Sequence, residues 1–93
     1  KINSDSNTGN SSLVVTTKPN PANSMVTFQY VLPDNVQKAI IELYDNFGKK
    51  VNRITVDKAG VHSIDCSDFP SGIYFYRIFA GNSSQTGKII ITH

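Results

Sequence analysis

The chain has 93 residues, a formal net charge of +2, one cysteine, two histidines and no tryptophan. That length holds one domain able to bury roughly 60% or a little more of its unfolded-chain surface, one core without room for a deep active-site cleft. The mild positive balance and the single basic cluster, Lys49, Lys50 and Arg53, give no concentrated basic face, so nucleic acid is not an expected partner, and the lone Cys66 excludes an internal disulfide.

Lys1 to Ser12 is almost entirely Asn, Ser, Thr, Gly and Asp, and its one apolar side chain, Ile2, cannot offset the entropy of ordering it. We expect 1–12 to be a flexible linker joined to a preceding segment, and 13–93 to be the folded domain. No stretch reaches the ~18 apolar residues of a membrane span, and no signal peptide opens the sequence. An export signal would therefore belong to a longer parent chain. The triplets at Asn10 and Asn82 match a glycosylation sequon, which Asn/Ser-rich chains produce by chance.

Leu13 to Thr17 is a short β-branched run, and Pro19 and Pro21 after it enforce an extended kink. From Ser24 to Leu32 the sequence alternates, with Val26, Phe28, Tyr30 and Leu32 on one face, as in a half-buried antiparallel strand. Pro33-Asp34-Asn35 ends it with turn chemistry.

Asp34 to Gly48 reads two ways. Val36, Ala39, Ile40, Leu43, Tyr44 and Phe47 have helical spacing, Asp34 with Gln37 would make a capping box, and Gly48 sits where a helix would stop. Against this, Ala39, Ile41 and Leu43 alternate, and a lone helix among strands lacks a layer to pack on. We take Lys38 to Asp45 as a strand, with a hairpin turn from Asp45 to Lys49 in which Gly48 supplies the unusual φ.

Val51 to Val56 is the next strand, Asp57 to Gly60 a turn, and Val61 to Cys66 a strand with His62, Ile64 and Cys66 on one face. Pro70 and Gly72 then suit a type II turn leading into Gly72 to Phe79, with Tyr74, Tyr76 and Ile78 on one face and Ile73, Phe75, Arg77 and Phe79 on the other. Two largely apolar faces predict a central strand with little exposure. Gly81 to Ser84 is a turn, and Gln85 to Thr92 the final strand. Seven short strands near ten-residue spacing, without a crossover helix, predict an all-β, seven-stranded antiparallel immunoglobulin-like β-sandwich.

No catalytic constellation appears. Cys66 and His62 share a strand face but lie about 13 Å apart along it, too far for a nucleophile and its base. The aspartates sit at turns without the spacing of a calcium loop, so turn capping is their expected role. Tyr74, Phe75 and Tyr76 could form a carbohydrate platform, but a central aromatic strand reads first as core. Lys88 and His93, flanking Ile89-Ile90-Ile91, fit either a terminal recognition patch or a charged guard on an edge strand.

Several of these pieces together carry a resemblance. Pro19-Asn20-Pro21 before the first long strand, Leu43-Tyr44-Asp45 with Gly48-Lys49 at the central hairpin, Phe69-Pro70-Ser71-Gly72-Ile73-Tyr74, and the ending Lys88-Ile89-Ile90-Ile91 stand in order over about Leu13 to His93. In this the chain resembles the C-terminal sorting domain of the type IX secretion system of Bacteroidota-type bacteria. Phe69 replaces the family's usual Leu, and His93 stands where a Lys is common.

The resemblance implies an immunoglobulin-like sandwich that is not an enzyme and needs no cofactor or metal. It implies a cargo protein N-terminal to the domain, recognition in the periplasm by the outer-membrane translocon, and removal by a sortase-like cysteine peptidase acting in the linker. The cargo would be delivered to the cell surface or the medium, commonly onto an anionic lipopolysaccharide anchor. Pro19, Asn20, Pro21, Gly48, Pro70, Gly72 and Tyr74 would mainly set the fold, and Lys88, Ile89, Ile90, Ile91, Thr92 and His93 would form the recognised signal. The expected mode is strand addition to an unpaired terminal edge, an edge that would also serve homodimerisation. An adhesive or carbohydrate-binding sandwich attached to an extracellular enzyme is the alternative, and predicts exposed aromatics; an inert spacer module is a third.

Overall fold

Alternation of apolar and polar side chains builds both layers of this molecule. The structure, a computed structural model, describes residues 13–19 and 22–93. Its seven strands are β1 (Val14–Lys18), β2 (Met25–Val31), β3 (Lys38–Tyr44), β4 (Lys50–Asp57), β5 (Val61–Asp65), β6 (Gly72–Ala80) and β7 (Ser83–Ile91). They form a three-stranded sheet in the order β1-β2-β5 and a four-stranded sheet in the order β4-β3-β6-β7, every neighbouring pair antiparallel. This is the expected all-β immunoglobulin-like sandwich, and each predicted strand lies within about two residues of an observed one.

The inward side chains of the two sheets make one core. Val26, Phe28 and Tyr30 come from β2, Ile41 and Leu43 from β3, Tyr74, Tyr76 and Ile78 from β6, and Ile89 and Ile91 from β7. Phe28 meets Tyr76 edge-on across the layers, with ring centroids 5.2 Å apart and planes at 88°. Cys66 is a free, fully buried thiol in this core, and burial pushes its pKa up.

The disputed segment is a strand. As β3 it sends Ala39, Ile41 and Leu43 inward and is bonded on both sides, by β4 and β6. The helical set would have brought Phe47 to the core, but Phe47 is 92% exposed at the hairpin tip. Asp45 shapes that tip: its Oδ1 accepts from the amides of Phe47 (2.8 Å) and Lys49 (2.9 Å), and Gly48 has φ +84°, a conformation that favours glycine.

Two expectations need correction. Gly72 has the expected positive φ, but at +158° it is far from the roughly +80° of a type II turn, and it stands as the first residue of β6. The second face of β6 is also more open than expected, because among the described residues no layer covers it: Ile73 and Phe75 are 39% and 43% exposed.

Candidate recognition surface at the C-terminal strand

β7 runs back along β6 from a two-residue Gly81-Asn82 turn, in register from Ala80↔Ser83 to Gly72↔Ile91 without a bulge. The alternation divides the expected signal residues. Ile89 and Ile91 are fully buried, whereas Lys88, Ile90, Thr92 and His93 are exposed. Opposite Tyr76 the strand carries Gly87, and a Cβ there would collide with the Tyr76 ring. The tyrosine thus lies over the glycine and fills the place of its missing side chain.

The end of β7 is tied down, which corrects the expectation of an unpaired terminal edge. The amide of Ala22 donates to the carbonyl of Ile90 and the amide of Thr92 donates to the carbonyl of Ala22, each at 2.8 Å, and Ala22 forms a parallel bridge with Ile91. Beyond it, the His93 amide donates to Ser71 Oγ at 3.0 Å, and His93 Nε2 lies 2.6 Å from the carbonyl oxygen of Phe69. Further back, Gln85 Nε2 donates to the carbonyl of Leu13 at 3.0 Å.

The loop that holds His93 is itself rigid. Tyr74 donates its hydroxyl to the carbonyl of Pro70 at 2.6 Å, and its ring stacks on Phe69 at 5.7 Å. A tyrosine near the start of this strand bonding back a few residues is the tyrosine corner of immunoglobulin-like sandwiches. Between Asp45-Asn46-Phe47 and Pro70 to Tyr74 lies a groove of about 150 Å³. The central hairpin, the Phe69 to Tyr74 corner, the Ala22 bridge and the end of β7 therefore meet at one pole of the sandwich. Of the proline motif, Pro19 is described and exposed, and Asn20 and Pro21 lie outside the described residues, as does the expected linker, 1–12.

The outer face of the four-stranded sheet adjoins this pole. Ile73 pairs across with Ile90, Phe75 with Lys88 and with Tyr44, forming a partly exposed apolar strip. Beside it a hollow of about 430 Å³ is lined by Tyr44, Phe75, Arg77, Thr86, Gly87 and Lys88. Opposite Arg77 on β3 stands Glu42, a buried carboxylate that sequence reading did not single out. It accepts from the Tyr44 hydroxyl and pairs with Lys50 (3.0 Å) and Arg53 (3.4 Å). The Tyr44 hydrogen bond, and after it that from Lys50, hold the Glu42 carboxyl below its ordinary pKa, and the bond to Glu42 lifts the pKa of Tyr44. Two members of the basic cluster are thus partners of Glu42, a cross-strand relation hidden until β3 and β4 are paired in register.

The remaining candidates have structural places. Asp45, Asp57 and Asp65 accept amide hydrogens in their own turns. Among the described residues no group of three or more His, Cys, Asp or Glu is placed to hold a metal ion. The aromatics divide: Phe28, Tyr30, Tyr74 and Tyr76 are core, and Phe47 and Phe75 are exposed. The surface that remains is suited to contact with another chain, through exposed apolar side chains, two cations and strand edges.

A family model described as a secretion system C-terminal sorting domain matches residues 18–92. Comparison with curated proteins finds no match.

Proposed function

Since the chain belongs to the family of type IX secretion system C-terminal sorting domains, we propose that it takes an N-terminally attached cargo from the periplasm through the outer-membrane translocon and is then cut away by a sortase-like cysteine peptidase. Membership makes the chain a sorting signal for the cell surface or the extracellular space, in a family of signals and not of catalysts. The signal in this reading is the exposed side of the last strand, Lys88, Ile90, Thr92 and His93, with Ile89 and Ile91 holding it in register from the core. The cut falls in or just before 1–12, ahead of the folded body. The observation that carries the reading is the match itself, which spans the end of β1 to the end of β7.

The test is export of a periplasm-targeted fluorescent reporter carrying residues 1–93 at its C-terminus, in strains with and without a working type IX translocon. Translocon-dependent surface or medium fluorescence is expected; a folded reporter kept in the periplasm of both strains overturns the reading. Deleting Ile89 to His93 cannot separate signal from fold, because it removes two fully buried side chains. The combined variant Lys88→Ser, Ile90→Ser and Thr92→Ala alters the exposed side alone and is expected to stay folded and lose export. Normal display of that variant removes these side chains from the signal. Released cargo that retains Leu13 onward in mass spectrometry refutes the proposed position of the cut.

A further inference from the structure

We propose that recognition of β7 in the folded domain involves, besides the exposed side chains from Lys88 onward, the strand's open edge at Ser84 and Thr86, and that this edge takes up an extended, carboxylate-bearing strand of the export receptor by main-chain pairing. The inference rests on the sorting function and assigns its docking site and mode. The carbonyl of Ile90 and the amide of Thr92 both turn away from β6 to reach Ala22, and β7 pairs with β6 without a register shift. Alternation then turns the amides and carbonyls of Ser84 and Thr86 outward as well. The Ala22 bridge occupies the end of the edge, and among the described residues none outside β6 pairs with this earlier stretch.

Sheet edges in soluble proteins are normally guarded by bulges, prolines or charges. The opposite edge of the same sheet, β4, faces a register shift at Leu43/Tyr44 and carries Lys50 and Arg53. β7 has no such break, and Ser84 and Thr86 are small, uncharged and exposed. The charge on this edge, Lys88, stands two residues further on, so the stretch from Ser84 to Thr86 carries no bulge, proline or charge and suits strand addition.

The hollow next to the edge identifies the occupant. In an added strand every second side chain would lie over Thr86, Gly87 and Lys88, where the cavity of about 430 Å³ is floored by Phe75 and Tyr44 and flanked by Arg77 and Lys88. Arg77 lines the hollow, and its guanidinium lies over the Phe79 ring, 5.6 Å from the centroid. Apolar walls with the Arg77 cation beside them suit a carboxylate on an extended chain.

Thr86→Pro tests the main-chain pairing. Proline removes only an outward amide, a change edge strands tolerate. In the reporter assay the variant is expected to keep the wild-type circular dichroism and thermal midpoint while export falls about tenfold, as loss of a ladder contact requires. Thr86→Val, which keeps the amide, is expected to export normally. Ser84→Pro repeats the test at the other outward amide, and decides the question should Thr86→Pro fail to fold. Proline variants that fold and export like the wild type overturn the proposal. A loss shared equally by Thr86→Val also overturns it, since the contact would then be through the side chain. A dimer of the isolated protein that Thr86→Pro dissolves without touching export would assign the edge to a second copy instead. Failure of the unmodified domain to direct export is a separate result and bears on the sorting function itself.

Discussion

Tyr74 and Pro70 are joined by a hydrogen bond of 2.6 Å from the phenolic hydroxyl to the backbone carbonyl, four residues back across the corner that starts β6. Because Ser71 and Phe69 in the same corner receive His93, the bond fixes the seat of the chain's last residue as well as the start of the central strand. The family resemblance of Gly72-x-Tyr74 thus has a physical content: the tyrosine is placed two residues into the strand so that its hydroxyl reaches back over the corner.

Tyr74→Phe removes that bond alone. The expected loss is about 1 kcal/mol, the net worth of one such hydrogen bond, which in a domain of this size lowers the thermal midpoint by roughly 4–8 °C. An unchanged midpoint in a thermal melt would show that the corner is held by the Phe69 stacking contact instead.

Gly87→Ala places a methyl group against the Tyr76 ring. Overpacking of this kind costs about 1–3 kcal/mol, and urea unfolding should register it as a lower midpoint at constant slope. Combining it with Tyr76→Leu, which vacates the space, is expected to cost less than the sum of the two single changes. Strict additivity would mean that the ring moves aside freely and does not depend on the glycine.

Glu42 gives the fold a dependence on pH. Its pKa in the folded chain is lowered, first by the Tyr44 hydroxyl and then by Lys50. Its contribution is therefore complete above the unfolded value, near 4.5, and is lost as pH falls from there through the folded pKa. Glu42→Gln should be less stable than wild type at pH 7, and the two should converge on acidification below about pH 4.5. Asp65, lowered by the hydroxyl and amide of Ser67, titrates in the same direction, so the slope is reduced and not abolished. Parallel stability curves for the two proteins from pH 7 to pH 3 would exclude this role for Glu42.

Strand positions and faces were legible where burial is one-sided. Val26, Phe28 and Tyr30 alternate with exposed residues, and period two leaves no other reading. β3 was ambiguous because it is buried on both faces at Ile41, Glu42 and Leu43, which blurs the alternation into a pattern a helix can also satisfy. The arrangement of the pole was out of reach for a different reason. The Ala22 bridge to β7 joins residues about seventy positions apart, and periodicity carries no information on such pairings. Gly87 had no signal without its partner, since a glycine in a strand is explained only by the ring that covers it.

Thr92→Pro probes how the end of β7 is coupled to the segment that precedes β2. The Thr92 amide donates to the carbonyl of Ala22, and Ala22 in turn donates to Ile90, so one substitution unpairs the bridge from one side. The change is compatible with the local backbone, because Ile91 before it is already extended, as a residue preceding proline prefers. Ala22 is buried, so its carbonyl loses its partner without access to water, at a cost of about 1–3 kcal/mol. Amide hydrogen exchange should show the Ala22 amide opening about tenfold faster, the factor for some 1.4 kcal/mol, with the amides of β3 as protected as before. Thr92→Val keeps the amide and should leave Ala22 unchanged. If Ala22 exchanges equally in wild type and Thr92→Pro, the bridge does not hold the chain. If it exchanges faster, pulling the last strand away loosens the residues between the expected linker and β2, which puts the junction with the cargo under the control of the C-terminus.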